Sequence, residues 1–110
     1  MKVVDKKEFL KLPDGTFFCK GCQWVFDDLC IKMQSLEGDF CYHNLCIMDS
    51  NSSDQYFYRL SESFKNDISY PMNDSWSRDG MFCDEDLFLI YEKEDLYRLR
   101  ELINYFLKEK

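Results

Sequence analysis

The apolar residues change their period several times along the chain, and each change predicts an element. Asp5 followed three residues later by Glu8 has the form of a capping box, with Phe9, Leu10 and Leu12 on the apolar side of a short helix over residues 5–12 that stops before Pro13. Asp14-Gly15 is a turn signal, and Thr16, Phe17, Phe18 and Cys19 have the aromatic and β-branched character of a strand. Lys20-Gly21 reads as the next turn. Apolar residues then come in short bounded runs over residues 24–32 and 40–48, with Gly38 as a turn residue between them. Two more strands follow from this, and the three together predict an antiparallel meander, which needs only short connections.

Residues 50–54 are small and polar, a loop or cap, after which Tyr56, Phe57, Leu60 and Phe64 recur at helical spacing. Residues 66–80 hold Pro71, Gly80 and several Asn, Asp and Ser residues, and read as an irregular connection. A connection of that length in a compact domain is a candidate working surface. Residues 87–91 form an apolar run suited to a strand buried on both faces. A last helix is predicted over residues 93–108, with Leu96, Leu99, Ile103, Phe106 and Leu107 along one face that is expected to pack onto the sheet. Glu94 and Asp95 favour its N-terminal dipole, and Lys108 and Lys110 its C-terminal one. The expectation is one α+β domain over residues 1–110: a small antiparallel sheet, a three-strand meander plus one further strand, packed with helices and ending in a long C-terminal helix.

Composition supports a single core. A chain of 110 residues buries roughly two-thirds of its extended-chain surface, and ten Phe, seven Tyr and two Trp supply large side chains to fill that core with a surplus for recognition. Charge then narrows the function. The formal charge of −7, from 21 acidic against 14 basic residues, repels phosphate backbones and argues against direct nucleic-acid binding. The same charge steers the chain toward a basic surface, such as the channel of a nucleic-acid-handling protein, or serves solubility alone. The first thirteen residues interrupt their apolar positions with charge and lack the apolar stretch of a signal peptide, and no stretch approaches the length of a membrane span. The expected compartment is a reducing cytoplasm, where six cysteines are thiols or metal ligands before they are disulfides.

The most specific chemical pattern is Cys19-x-x-Cys22 followed by Cys41-x-His43-x-x-Cys46. Two compact ligand clusters about twenty residues apart are the layout of a structural zinc site, and Zn²⁺ takes four S or N donors in a tetrahedron. Gly21 relieves the backbone between the first pair. Cys41 competes with His43 for a place in the set, since residues two apart on a strand share a face. The other reading of these thiols is as small buried hydrophobes. A Cys-His nucleophile would have to use His43, the single histidine, and no orienting acid or oxyanion motif surrounds it. Cys30 and Cys83 stand apart and read as core residues.

Residues 79–95 carry seven carboxylates against the single base Lys93, the strongest local charge bias in the chain. They lack the regular oxygen ligands of a calcium loop. Asp79, Asp84, Glu85 and Asp86 are candidate contacts for a basic partner, with Tyr70, Trp76 and Phe82 as candidate aromatic anchors, because aromatics beside charge are typical of binding hot spots. The bland alternatives are a solvated rim and core aromatics.

Residues 12–16 (LPDGT), 28–32 (DLCIK), 78–96 (RDGMFCDEDLFLIYEKEDL) and the closing helix resemble segments of small proteins encoded by phages and other mobile elements, and together cover about half the chain. In size and charge the chain is similar in style to anti-CRISPR and other anti-defence inhibitors. That resemblance implies a non-enzymatic, stoichiometric inhibitor of a host defence nuclease that blocks a basic nucleic-acid-binding surface inside a bacterial host cell; the Cys19 and Cys22 pair is no part of it, so the expectation of a zinc-stabilised fold rests on the cysteine spacing alone. Two rivals remain: a sponge for a defence signalling nucleotide, for which few phosphate-cradling glycines are present, and a small enzyme using a cysteine or carboxylates.

Overall fold

Asp5 closes one element and opens the next. The computed structural model describes residues 1–22, 24–80 and 85–108. In it Lys2–Asp5 is a strand, β1, and Lys6–Phe9 a single helical turn, α1, whose first N–H groups are capped when the Asp5 carboxylate accepts from Glu8 N at 2.9 Å. The sequence anticipates the cap but not the strand before it. Phe17–Cys22 is β2, Val25–Leu36 β3 and Asp39–Asn44 β4, the meander that the apolar runs predict. Lys20-Gly21 is no turn, because β2 runs straight through it.

After β4 come helix α2 (Ser53–Asn66), a two-residue strand β5 (Ser77–Arg78), strand β6 (Leu87–Tyr91) and helix α3 (Lys93–Leu107). All the strand pairings are antiparallel, in the order β1-β6-β2-β3-β4-β5. The sequence was thus right in class and in the meander, and two short edge strands enlarge the sheet beyond it. In β6, Phe88 and Ile90 are buried and Leu87, Leu89 and Tyr91 half-buried, so one face of that strand carries the core instead of both.

The core lies on the face that α1 covers. Phe9 drops from α1 onto the sheet, stacks on Phe88 at 4.0 Å between ring centroids, and meets the edges of Phe18 and Phe40 at 4.7 and 4.9 Å. Edge-to-face and offset contacts of this kind add to the burial of four large rings. Cys30 and Ile90 complete the cluster, with Val4, Leu10, Leu12 and Tyr42 packed around it. Lys32 is buried at its margin, and burial lowers its pKa, while Nζ donates to the Met33 carbonyl at 3.0 Å.

Helix α3 corrects the sequence. It carries no buried residue, and its main contact with the sheet is to β6, from which it emerges. Leu96 and Leu99 are half-buried, but Ile103 and Phe106 are exposed, so the stripe expected to pack on the sheet leaves it after two turns. Its start is well fixed: Glu92 and Asp95 form a capping box, and the chain's amino terminus reaches Asp95 at 2.9 Å and Glu92 at 3.3 Å.

Candidate functional site

Gly21 determines how β2 meets β3. A Cβ there would lie 2.2 Å from the Val25 carbonyl oxygen and 2.9 Å from Phe26 Cα, so only glycine permits this approach. Beside it the register slips. Cys19 pairs with Leu29 and Gly21 with Phe26, which leaves Lys20 opposite both Asp27 and Asp28. Such bulges re-aim side chains, and here the extra residue brings two consecutive carboxylates to one place although strand alternation alone would separate them.

The resulting cleft has a volume of about 190 Å³. Asp27, Asp28 and Asp79 supply its carboxylates, Lys20 its single cation, and Phe18, Phe40 and Tyr42 its aromatic wall. Asn44 donates to Asp28 at 3.0 Å and fixes one rim. Lys20 Nζ reaches Asp79 at 2.8 Å and Asp86 at 3.8 Å. Burial works to lower the Lys20 pKa, but the hydrogen bond it donates to Asp79 and the negative charges of Asp79 and Asp86 together outweigh it and the net shift is upward, so Lys20 is a fixed positive charge. The other oxygen of Asp79, Oδ2, is buried without a hydrogen-bond partner among the described residues, and the side chain as a whole is 5% exposed. A buried carboxylate oxygen left unpaired is costly and rare.

Asp39 holds Asp79 in position from behind. It is fully buried, accepts from Phe40 N at 2.8 Å and Gly80 N at 3.0 Å, and takes Arg78 Nε and an Arg78 terminal nitrogen at 3.0 Å each. It therefore grips both neighbours of Asp79, whose own N–H bonds the Phe40 carbonyl at 3.0 Å. Burial pushes the Asp39 pKa up, yet these donors outweigh it and hold the carboxyl below its ordinary 3.8.

The predicted acidic surface is divided by this arrangement. Asp79 and Asp86 are drawn inward beside Lys20, Glu85 is exposed, and Asp84, with Phe82 and Cys83, lies outside the described residues. Asp86 is buried and so is not the free surface charge the sequence suggests. Of the aromatic anchors, Trp76 is 62% exposed, whereas Tyr70 is half-buried under the Arg59 guanidinium, 4.9 Å from its ring centroid.

The cysteine clusters are not gathered into a four-donor set. Because residues 17–22 form one strand, Cys19 and Cys22 face opposite sides, the first buried and the second exposed. Cys41 is buried on β4, with β3 between it and β2. His43 directs Nε2 at the Asn73 carbonyl, 2.6 Å away, and the exposed Cys46 sits 3.8 Å from the Leu29 carbonyl. Among the described residues no three His, Cys, Asp or Glu side chains converge on a metal position. Cys30, on the cleft wall, has its pKa pushed up to about 12, first by burial and then by Asp28, so it is a thiol at neutral pH and a poor nucleophile.

The sequence missed Lys20, Asp27, Asp28 and Tyr42. One signal was available: two adjacent aspartates inside an apolar strand run are unusual enough to mark a site. Asp39 left no such trace, since its partner Arg78 is 39 residues away. No family model, curated protein or solved structure matches the chain. No helix among the described residues is long and apolar enough to cross a membrane.

Proposed function

We propose that the chain is a non-catalytic binding protein that docks on a basic protein surface and takes one arginine or lysine side chain of its partner into the Asp27-Asp28-Asp79 cleft. The single observation that carries this reading is the buried, unpartnered Oδ2 of Asp79 in a cleft whose carboxylates outnumber its cation by three to one. A partner's guanidinium there would satisfy Oδ2 and lie against an aromatic wall. The volume of about 190 Å³ suits a side chain, since small-molecule sites run from roughly 300 Å³ upward.

The surroundings favour a protein partner. Trp24 follows β2 with φ of 73°, a left-handed conformation uncommon for a bulky residue, and it and Val25 stand largely exposed three and two residues before Asp27. An exposed aromatic beside acidic groups is a hot-spot composition. The partner class follows from the charge: a protein with a strongly basic groove, such as a host defence nuclease or another nucleic-acid-handling enzyme, which this chain would block by occupying the groove. The proposal requires no metal. A nucleotide sponge gains nothing from this cleft, because its carboxylates repel phosphate.

The test is an NMR titration of the labelled chain with an oligoarginine peptide. Amide shifts should concentrate at Asp27, Asp28 and Asp79, and the variant Asp27→Asn, Asp28→Asn, Asp79→Asn should bind about tenfold more weakly or worse, with a flatter salt dependence. Equal affinity of the variant and the native chain would sink the proposal.

A further inference from the structure

Helix α2 is turned inside out. The side chains that face the body of the protein, Gln55, Tyr56, Arg59, Glu62 and Ser63, are mostly polar and half-buried, and Arg59 bonds the Asp49 carbonyl. The apolar stripe faces outward, with Phe57 66% and Phe64 91% exposed. Helix α3 does the same over its second half, where Ile103 and Phe106 are 49% and 73% exposed. A surface helix ordinarily turns its apolar stripe to the core, so both helices present a stripe that the described residues do not cover.

The chain as a whole exposes more surface than a compact monomer of its mass. The chain exposes 8211 Å², whereas a compact chain of 13.3 kDa exposes roughly 6,500 Å². The difference, about 1,700 Å², falls within what each partner of an obligate homodimer buries, on the order of 1,000–2,500 Å². The radius of gyration, 15.8 Å, likewise exceeds the roughly 13 Å of a compact chain this long.

Charge selects the partner. The chain is strongly acidic, yet the exposed charges of α2 are Asp54 against Lys65, and α3 balances Glu94, Asp95 and Glu101 against Lys93, Arg98 and Arg100. A face for a basic protein would be acidic, and a face for a lipid surface would carry a Lys/Arg-rich polar side. A balanced face does not repel its own copy, and a two-fold axis lets each charge meet its opposite. Leu96, Leu99, Ile103 and Phe106 also follow the three-four-three spacing of a helix-pairing seam.

We infer that the chain is a homodimer joined through the outward faces of α2 and α3. The inference stands independently of the cleft's ligand. Sedimentation velocity over a range of concentrations tests it, and the expected species has twice the 13.3 kDa chain mass. The variant Phe57→Glu, Phe64→Glu, Ile103→Glu, Phe106→Glu should sediment as a monomer and keep the near-ultraviolet circular dichroism of the sheet's aromatic core. Should that variant fail to fold, Phe64→Ser with Phe106→Ser should still raise the dimer dissociation constant about tenfold or more. A native chain that stays monomeric up to its solubility limit overturns the inference, including one that binds phosphatidylcholine vesicles instead. So does a serine variant that dimerises like the native chain.

Discussion

Phe88 and Phe64 are the same residue in opposite circumstances. Phe88 is fully buried among Phe9, Phe18 and Phe40, while Phe64 on α2 is 91% exposed. Around the first, a one-turn helix and six strands make a self-sufficient layer. Around the second, the described residues offer no apolar cover. The difference shows that apolar content does not say where cohesion lies, because an aromatic ring stabilises only the assembly that removes it from water.

The comparison can be broken at several places. The largest effect is expected at the ring cluster, where Phe88→Ala should cost about 3–5 kcal/mol by chemical denaturation. In the dissociated chain, Phe64→Ala should stay within about 0.5 kcal/mol. Equal losses at the two positions would erase the distinction between the regions.

Next in size is Asp39. Its removal leaves the buried N–H of Phe40 and that of Gly80 unpaired, so Asp39→Ala should cost about 2–4 kcal/mol and loosen β5, which carries Asp79 to the cleft. Because the folded-state pKa of Asp39 lies below its ordinary 3.8, its stabilising contribution is complete above that pH and is lost as pH falls through the lower folded value. The melting temperature of Asp39→Asn should therefore fall less steeply on acidification below pH 3.8 than that of the native chain.

Smaller still is Lys32→Met. The substitution keeps the stem against Phe9, whose ring centroid lies 5.9 Å from Nζ, and removes a buried charge. Stability should change by less than about 1.5 kcal/mol, toward gain. A loss greater than that would mean the bond from Nζ to the Met33 carbonyl matters more than the burial of its charge.

The smallest perturbation is chemical labelling. Cys22 and Cys46 are exposed and should react with a thiol reagent within the mixing time of native protein, whereas Cys19, Cys30 and Cys41 are buried and should wait for unfolding. Mass spectrometry of the labelled peptides distinguishes them. Rapid labelling of Cys30 would contradict its buried place between Phe18 and the cleft.

What the sequence made legible follows local periodicity. The β2-β3-β4 meander, the run over residues 87–91 and both long helices were readable, since each depends on near neighbours. Strand β1 was hidden behind the capping residues of α1, and β5 is two residues within an irregular connection. The turn expected at Lys20-Gly21, which would fold Cys19 back onto Cys22, is absent for a physical reason: the glycine is there to admit β3, and the strand turns the two thiols to opposite faces. Charge counting found Asp79 but could not see that Lys20 draws Asp79 and Asp86 inward. The bulge that sets Asp27 and Asp28 opposite Lys20 depends on pairing register, which lies beyond composition. The stripe of α3 was read correctly as a stripe, but amphipathicity does not specify what covers it.

Hydrogen exchange resolved by residue, measured at high and at low protein concentration, tests the two-region account most directly. Amides of β2, β3 and β6 should be equally protected at both concentrations, because the sheet and α1 hold themselves together. Amides of α2 and of the second half of α3 should lose protection on dilution, because those helices depend on a second chain. Protection in α2 and α3 that matches the sheet and does not change with dilution would contradict the account.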